Sequence, residues 1–151
     1  MLEVYFLQKM EKQDIVDILK NEHNLVRNNF KKIVESNMPL EDVYSQTANA
    51  ILNHFNGEEK LVFPRFERNK ESVTVVYALL EEHGIIRKQI SELNELAASD
   101  NERWLGKAMV INALLEAHFE LEENQVFPKA ENMLTGEERE EAGTLYKNKQ
   151  F

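Results

Sequence analysis

Hydrophobic residues recur every three or four positions along four long stretches of this chain, the period of helices that bury one face. The first stretch runs from about Asp14 to Ser36, with Ile15, Leu19, Val26, Phe30 and Ile33 on its stripe and His23 inside it. Asn37-Met38-Pro39 breaks the pattern, and Pro39 suits the first turn of a following helix. The second stretch runs from about Leu40 toward Pro64, with Tyr44, Thr47, Ile51, His54, Glu58 and Leu61 on one face. Pro64 lacks an N–H and crowds the preceding turn, which predicts an end or a bend near Leu61. The third, from about Glu71 to Ala98, carries Val76, Leu79, His83, Ile86, Ile90, Leu93 and Ala97. Ser99-Asp100-Asn101 supplies capping residues for the fourth, which runs to about Ala130 through Trp104, Ala108, Ile111, Leu115, His118, Glu122 and Val126. Thr135 with Glu138 reads as a capping box, predicting a short fifth helix to about Lys147 on the surface.

Short connections make consecutive helices antiparallel neighbours. The expected fold is therefore all-α: an up-down-up-down antiparallel four-helix bundle with a short C-terminal surface helix. Residues 1–10 read as an N-terminal arm or an appended segment, and 11–151 as one domain. The chain also repeats itself. Glu22-His23 with Arg27 matches Glu82-His83 with Arg87, and His54-Phe55, Glu58-Glu59, Phe63-Pro64 match His118-Phe119, Glu122-Glu123, Phe127-Pro128. Two helical hairpins related by an approximate twofold axis follow from that.

Composition narrows the partners. The net charge of −9 disfavours nucleic acid and acidic membrane surfaces. With no cysteine, thiolate metal sites and thiol nucleophiles are excluded, and a reducing cytoplasm is the expected location. No apolar run reaches the roughly 20 residues of a spanning helix. The start, MLEVYFLQK, lacks the basic and long apolar regions of a signal peptide.

All four histidines lie on the apolar seams, one per long helix. Helical hairpins place residues equidistant from a turn side by side. The midpoints of His23–His54, His54–His83 and His83–His118 all fall inside the connecting turns, so the four imidazoles are expected in one layer. That layer stands about 15 residues, roughly 22 Å, from each turn. Glu58 and Glu122 follow His54 and His118 at i+4 on the same faces, one turn to the same side of the layer. Buried carboxylates need a cation or a partner. A nitrogen- and oxygen-rich set without thiolates suits iron, manganese or zinc. The metal ligands expected are His23, His54, Glu58, His83, His118 and Glu122. In a metal-free chain the two facing carboxylates are expected to share a proton. Glu59 and Glu123, at i+5, are read as solvent-facing, and so are Glu22 and Glu82. Phe55, Phe63, Phe119 and Phe127 are read as core packing that also keeps the site dry, and Tyr44 and Trp104 as core.

These residues resemble the haemerythrin-like HHE cation-binding family over about residues 11–132: one His, then HxxxE, one His, then HxxxE, here His23, His54/Glu58, His83 and His118/Glu122. The resemblance implies a non-haem centre of two iron ions bridged by the carboxylates, with an oxo or hydroxo bridge. It implies reaction with dioxygen, nitric oxide or peroxide, or a role in iron handling. The oxygen carriers of the family have a fifth histidine, from HxxxH on the third helix. Here the positions four residues either side of His83 are Leu79 and Arg87. The ligand set is closer to that of iron–sulfur cluster repair proteins, which commonly add a cysteine-bearing N-terminal domain. Three functions stay open at this point: a di-iron protein that binds or senses a small oxidant, a di-iron enzyme or iron donor, and an interaction module with a structural metal.

Overall fold

The structure is a computed structural model and describes residues 13–151; the expected N-terminal arm lies outside them. Helix α1 spans Ile15–Ser36 and is capped by the Asp14 side chain, which accepts a hydrogen bond from the Val16 N–H at 2.8 Å. It ends where Asn37 takes the left-handed conformation, φ 55°. Helix α2 spans Glu41–Gly57, opens into a π-helical turn over Glu58–Val62, and resumes as α3, Phe63–Phe66. Pro64 thus does not end the helix. Its missing N–H and its clash with the turn behind it are absorbed by the wider π turn. Helix α4 spans Val73–Glu95, shorter at both ends than its apolar pattern suggests. Helix α5 spans Asn101–Gln125, breaks at Val126, and α6 continues over Phe127–Met133, so Pro128 repeats the effect of Pro64. Asp100 sits at the start of α5 without making a cap hydrogen bond; its carboxylate faces Arg103 instead. The Thr135–Glu138 capping box is formed and starts α7, Gly136–Lys147. Among the described residues there is no strand, and no helix is long and apolar enough to cross a membrane.

Among the four long helices, α1 packs against α2 and α5, and α4 packs against α5 and α2. Their buried faces form two apolar clusters. One contains Phe30, Ile33, Tyr44, Ile51, Ile90, Trp104 and Ile111. The other contains Ile15, Leu19, Phe63, Phe66, Leu79, Phe127 and Tyr146. Between them lie the buried polar residues His23, His54, Glu58, His83, His118 and Glu122. Tyr44 and Trp104 do belong to the core: their rings meet edge-on, and the Tyr44 hydroxyl donates to the Ile90 carbonyl.

Helix α7 closes the second cluster by burying Ala142, Gly143 and Tyr146 against α1 and the π turn. Arg139 donates to Asp14, the residue that caps α1, at 2.7 Å, and Arg65 pairs with Glu138. The approach is close enough to require glycine. A Cβ on Gly143 would sit 1.8 Å from the Gln13 carbonyl oxygen, and one on Gly57 would sit 2.2 Å from the Tyr146 ring. Gly143→Ala is therefore expected to destabilise the protein by about 2 kcal/mol through forced backbone movement. Gly106→Ala, where nothing lies within 4 Å of the added carbon, should stabilise α5 by about 0.8 kcal/mol. Denaturant unfolding of the two variants checks the pair; equal effects would contradict the packing described.

Candidate metal centre

The four long helices each deliver one fully buried imidazole to the middle of the core, and α5 and the π turn add one buried carboxylate each. The rings pair through their inner nitrogens: His23 Nε2 lies 3.1 Å from His54 Nε2, and His83 Nε2 lies 3.1 Å from His118 Nε2. Glu58 Oε1 is 3.2 Å from His54 Nε2 and 3.5 Å from His83 Nε2, so it bridges the two pairs. Glu122 Oε1 does the same, 2.6 Å from His118 Nε2 and 3.8 Å from His23 Nε2. All six residues expected from the sequence are thus brought together. They form two overlapping groups able to hold a cation: Glu58, His83, His118 and Glu122, and His23, His54 and Glu122.

The outer face of each ring is equally ordered. His54 Nδ1 meets Glu22 at 3.2 Å, His23 Nδ1 meets Glu123 at 3.3 Å, His83 Nδ1 meets Glu59 at 2.8 Å, and His118 Nδ1 meets Glu82 at 2.6 Å. This corrects the expectation that Glu22, Glu59, Glu82 and Glu123 face solvent. Each is only partly exposed, and each reaches across a helix–helix groove to the imidazole of a neighbouring helix rather than to one on its own. Angle around a single helix could not reveal that. The signal that could have found them was the repeat itself: both halves contain Glu-His and Glu-Glu at matching positions.

A carboxylate can only accept, so each Nδ1 carries a proton, and each Nε2 presents a lone pair inward whenever its ring is neutral. With all four rings neutral, four lone pairs and four carboxylate oxygens share the buried layer, and the Glu58 and Glu122 oxygens have no hydrogen-bond donor. Native cores rarely leave such acceptors unpaired. A set of inward acceptors with no donor between them fits cations and little else. Outer carboxylates that fix the tautomer and orientation of an imidazole are the usual companions of histidine ligands.

Aromatic rings seal the layer. Phe119 stacks on His23 with centroids 3.9 Å apart, and Phe55 on His83 at 3.8 Å. Phe127 and Phe63 flank the same two histidines. Arg27 lies over Phe119 and Arg87 over Phe55, and both arginines also bond the outer glutamates, Glu123 and Glu59. The phenylalanines are core, as expected, and they also hold the rings in place.

Of the two carboxylates expected to share a proton in a metal-free chain, Glu58 is held in its charged form, and His54 is the group drawn toward protonation. Burial works against charge on His54, but Glu58 and Glu22 outweigh it and raise its pKa to about 9. Burial opposes the Glu58 charge too, yet His54 and His83 hold its carboxyl well below the usual carboxylate range. Burial and the neighbouring His54 charge push His23 down to about 2, and burial likewise lowers His118. The Glu58 carboxylate faces the His54 and His83 imidazoles at 3.2 and 3.5 Å, so opposite charge outweighs burial there.

A helical bundle with a buried histidine–glutamate cluster at mid-height belongs to the class of cation-binding bundle proteins. The Hemerythrin HHE cation binding domain matches residues 14–130, and the chain belongs to that family. Comparisons with curated proteins and with solved structures gave no match.

Proposed function

We propose that the protein binds two iron ions through His23, His54, Glu58, His83, His118 and Glu122, and that the centre binds or senses dioxygen, nitric oxide or a related oxidant such as peroxide. The observation that carries this reading is the convergence of four inward Nε2 atoms and two fully buried carboxylates in one layer. The near-twofold arrangement supports two cations rather than one, with Glu58 and Glu122 spanning the histidine pairs. Manganese or zinc would accept the same donors; iron is favoured because the family resemblance implies it. Bound iron would supply reversible redox chemistry and sites for a small diatomic ligand, with an oxo or hydroxo bridge between the ions. The chain's own residues hold the tautomers through Glu22, Glu59, Glu82 and Glu123, and exclude water with Phe55, Phe63, Phe119 and Phe127. We take the bundle as up-down-up-down, supported by contacts whose numbers run oppositely on neighbouring helices, such as Glu22–His54 and Asn29–Thr47. A cytoplasmic location is proposed on the cysteine-free composition.

Anaerobic reconstitution with iron, followed by metal analysis and optical spectroscopy with dioxygen and with nitric oxide, tests the reading. Two irons per chain and a ligand-dependent charge-transfer band are expected. Less than one metal per chain, or two metals and a spectrum indifferent to both gases, would overturn it.

A further inference from the structure

The internal repeat makes the two halves of the centre nearly equivalent, but the outer hydrogen bonds are not. In the second half both imidazoles sit close to their carboxylates: His118–Glu82 at 2.6 Å and His83–Glu59 at 2.8 Å. In the first half both are longer: His54–Glu22 at 3.2 Å and His23–Glu123 at 3.3 Å. The structure also shows what draws the carboxylates facing the first-half imidazoles away. The Tyr146 hydroxyl donates to Glu22 Oε1 at 2.5 Å, on the same oxygen that faces His54. Glu123 is held by two hydrogen bonds from Arg27, at 2.9 and 2.8 Å, where Glu59 receives one from Arg87, at 2.7 Å.

Tyr146 occupies a seat made for it on one side only. Asn53 donates to its hydroxyl at 3.2 Å, and Gly57 leaves room for the ring. The repeat-related positions on α5 are Ala117, which has no side-chain donor, and Leu121, which puts a branched side chain where Gly57 has none. There, beside Glu82, lies a small cleft of about 60 Å³ lined by Ile85, Ile86, Leu114 and Ala117. Burial and the adjacent Glu22 push the Tyr146 hydroxyl far above its ordinary range, so it stays a donor at every working pH.

A carboxylate that accepts from an imidazole N–H makes that imidazole a stronger donor to a metal. A carboxylate already holding a short phenolic hydrogen bond has less charge left to lend. We propose that Tyr146 makes the two metal positions electronically unequal: acting through Glu22 as a positioning residue, it renders His54 a weaker donor than its counterpart His118, so that the His23–His54 position has the higher reduction potential. The inference rests on the two-iron reading above.

Iron-57-loaded protein tests it by Mössbauer spectroscopy of the fully reduced form together with a reductive titration. The wild-type chain is expected to show two distinct ferrous doublets. Tyr146→Phe frees Glu22 to bond His54 alone, so the doublets should converge and the first reduction potential should fall, by a tenfold change in the equilibrium, or about 59 mV. Glu22→Gln removes the negative acceptor and should shift the same potential upward. Opposite signs from two changes at one hydrogen-bonded pair distinguish tuning from damage, and Glu22→Gln keeps the test decisive if Tyr146→Phe fails to fold. A single wild-type doublet, or shifts of the same sign, overturns the proposal. Failure to load two irons overturns the two-iron reading instead.

Discussion

Replacing both central carboxylates, Glu58→Gln with Glu122→Gln, is expected to abolish paired metal binding and to flatten the pH dependence of the metal-free protein's stability between about pH 6.5 and 9. Gln is almost the same shape but carries no negative charge. In the native chain the Glu58 oxygen faces His54 Nε2 at 3.2 Å, and the Glu122 oxygen faces His118 Nε2 at 2.6 Å. The Glu58 charge is the largest pull that raises the His54 pKa, so urea unfolding of the chelator-treated variant should lack the contribution that wild type gains from that proton. The same variant should fall from two metal ions per chain to fewer than about one, because the anionic donors that span the two histidine pairs are gone. A variant that keeps both metals, or whose metal-free stability still falls from about pH 6.5 to 9 as that of wild type does, would contradict the centre described.

Stripping the metals is the second large effect. A ligand that binds only the folded chain stabilises it by mass action, about 4 kcal/mol when present at a thousand times its dissociation constant. Chelation should therefore lower the melting temperature substantially, and readdition should restore it. The stripped protein should also have a distinctive pH profile. The folded pKa of His54 is raised from 6.5 to about 9. Its contribution to stability is fully present below about 6.5 and is lost as pH rises through about 9, on the order of 3 kcal/mol. Glu58 is depressed, so its contribution is present above its ordinary value of 4.5 and is lost as pH falls through its lower folded value. The folded pKa of His23 is depressed to about 2. It resists the proton that an unfolded histidine takes up, and this costs stability as pH falls below 6.5. The stripped protein should thus be most stable near pH 6.5. Metal requires His54 neutral and so releases its proton. The gap in melting temperature between loaded and stripped protein should widen from pH 6.5 to 9. A gap that narrows over that range would show that His54 does not carry the proton.

Much of this centre is legible along the chain because helices translate spacing into geometry. His23, His54, His83 and His118 lie at matched distances from three turns, so an antiparallel arrangement places them in one layer whatever the details of packing. Glu58 and Glu122 follow by the i+4 rule. The helix ends were legible where a side chain caps them, as at Asp14 and Thr135. They were less so at Pro64 and Pro128, where the helix does not stop but widens into a π turn or breaks for one residue. A proline marks the disturbance in the sequence; only the packing of Phe63 and Phe127 beneath it makes resumption favourable.

The outer carboxylates were not legible in the same way. Glu22, Glu59, Glu82 and Glu123 lie off the apolar seams, where a single helix considered alone sends side chains to water. Their partners stand on other helices, and a reach across a groove depends on interhelical distance and rotation, which spacing does not contain. The same is true of Tyr146. Nothing in its position 124 residues beyond Glu22 announces a hydrogen bond between them; that contact exists because Gly57 and Gly143 let α7 settle onto α1 and the π turn. Periodicity and the placement of turns were enough to name the six inward-facing residues and their common height. How those histidines are held from outside, and that the two repeat-related halves are unequal, depends on distances between helices rather than along them.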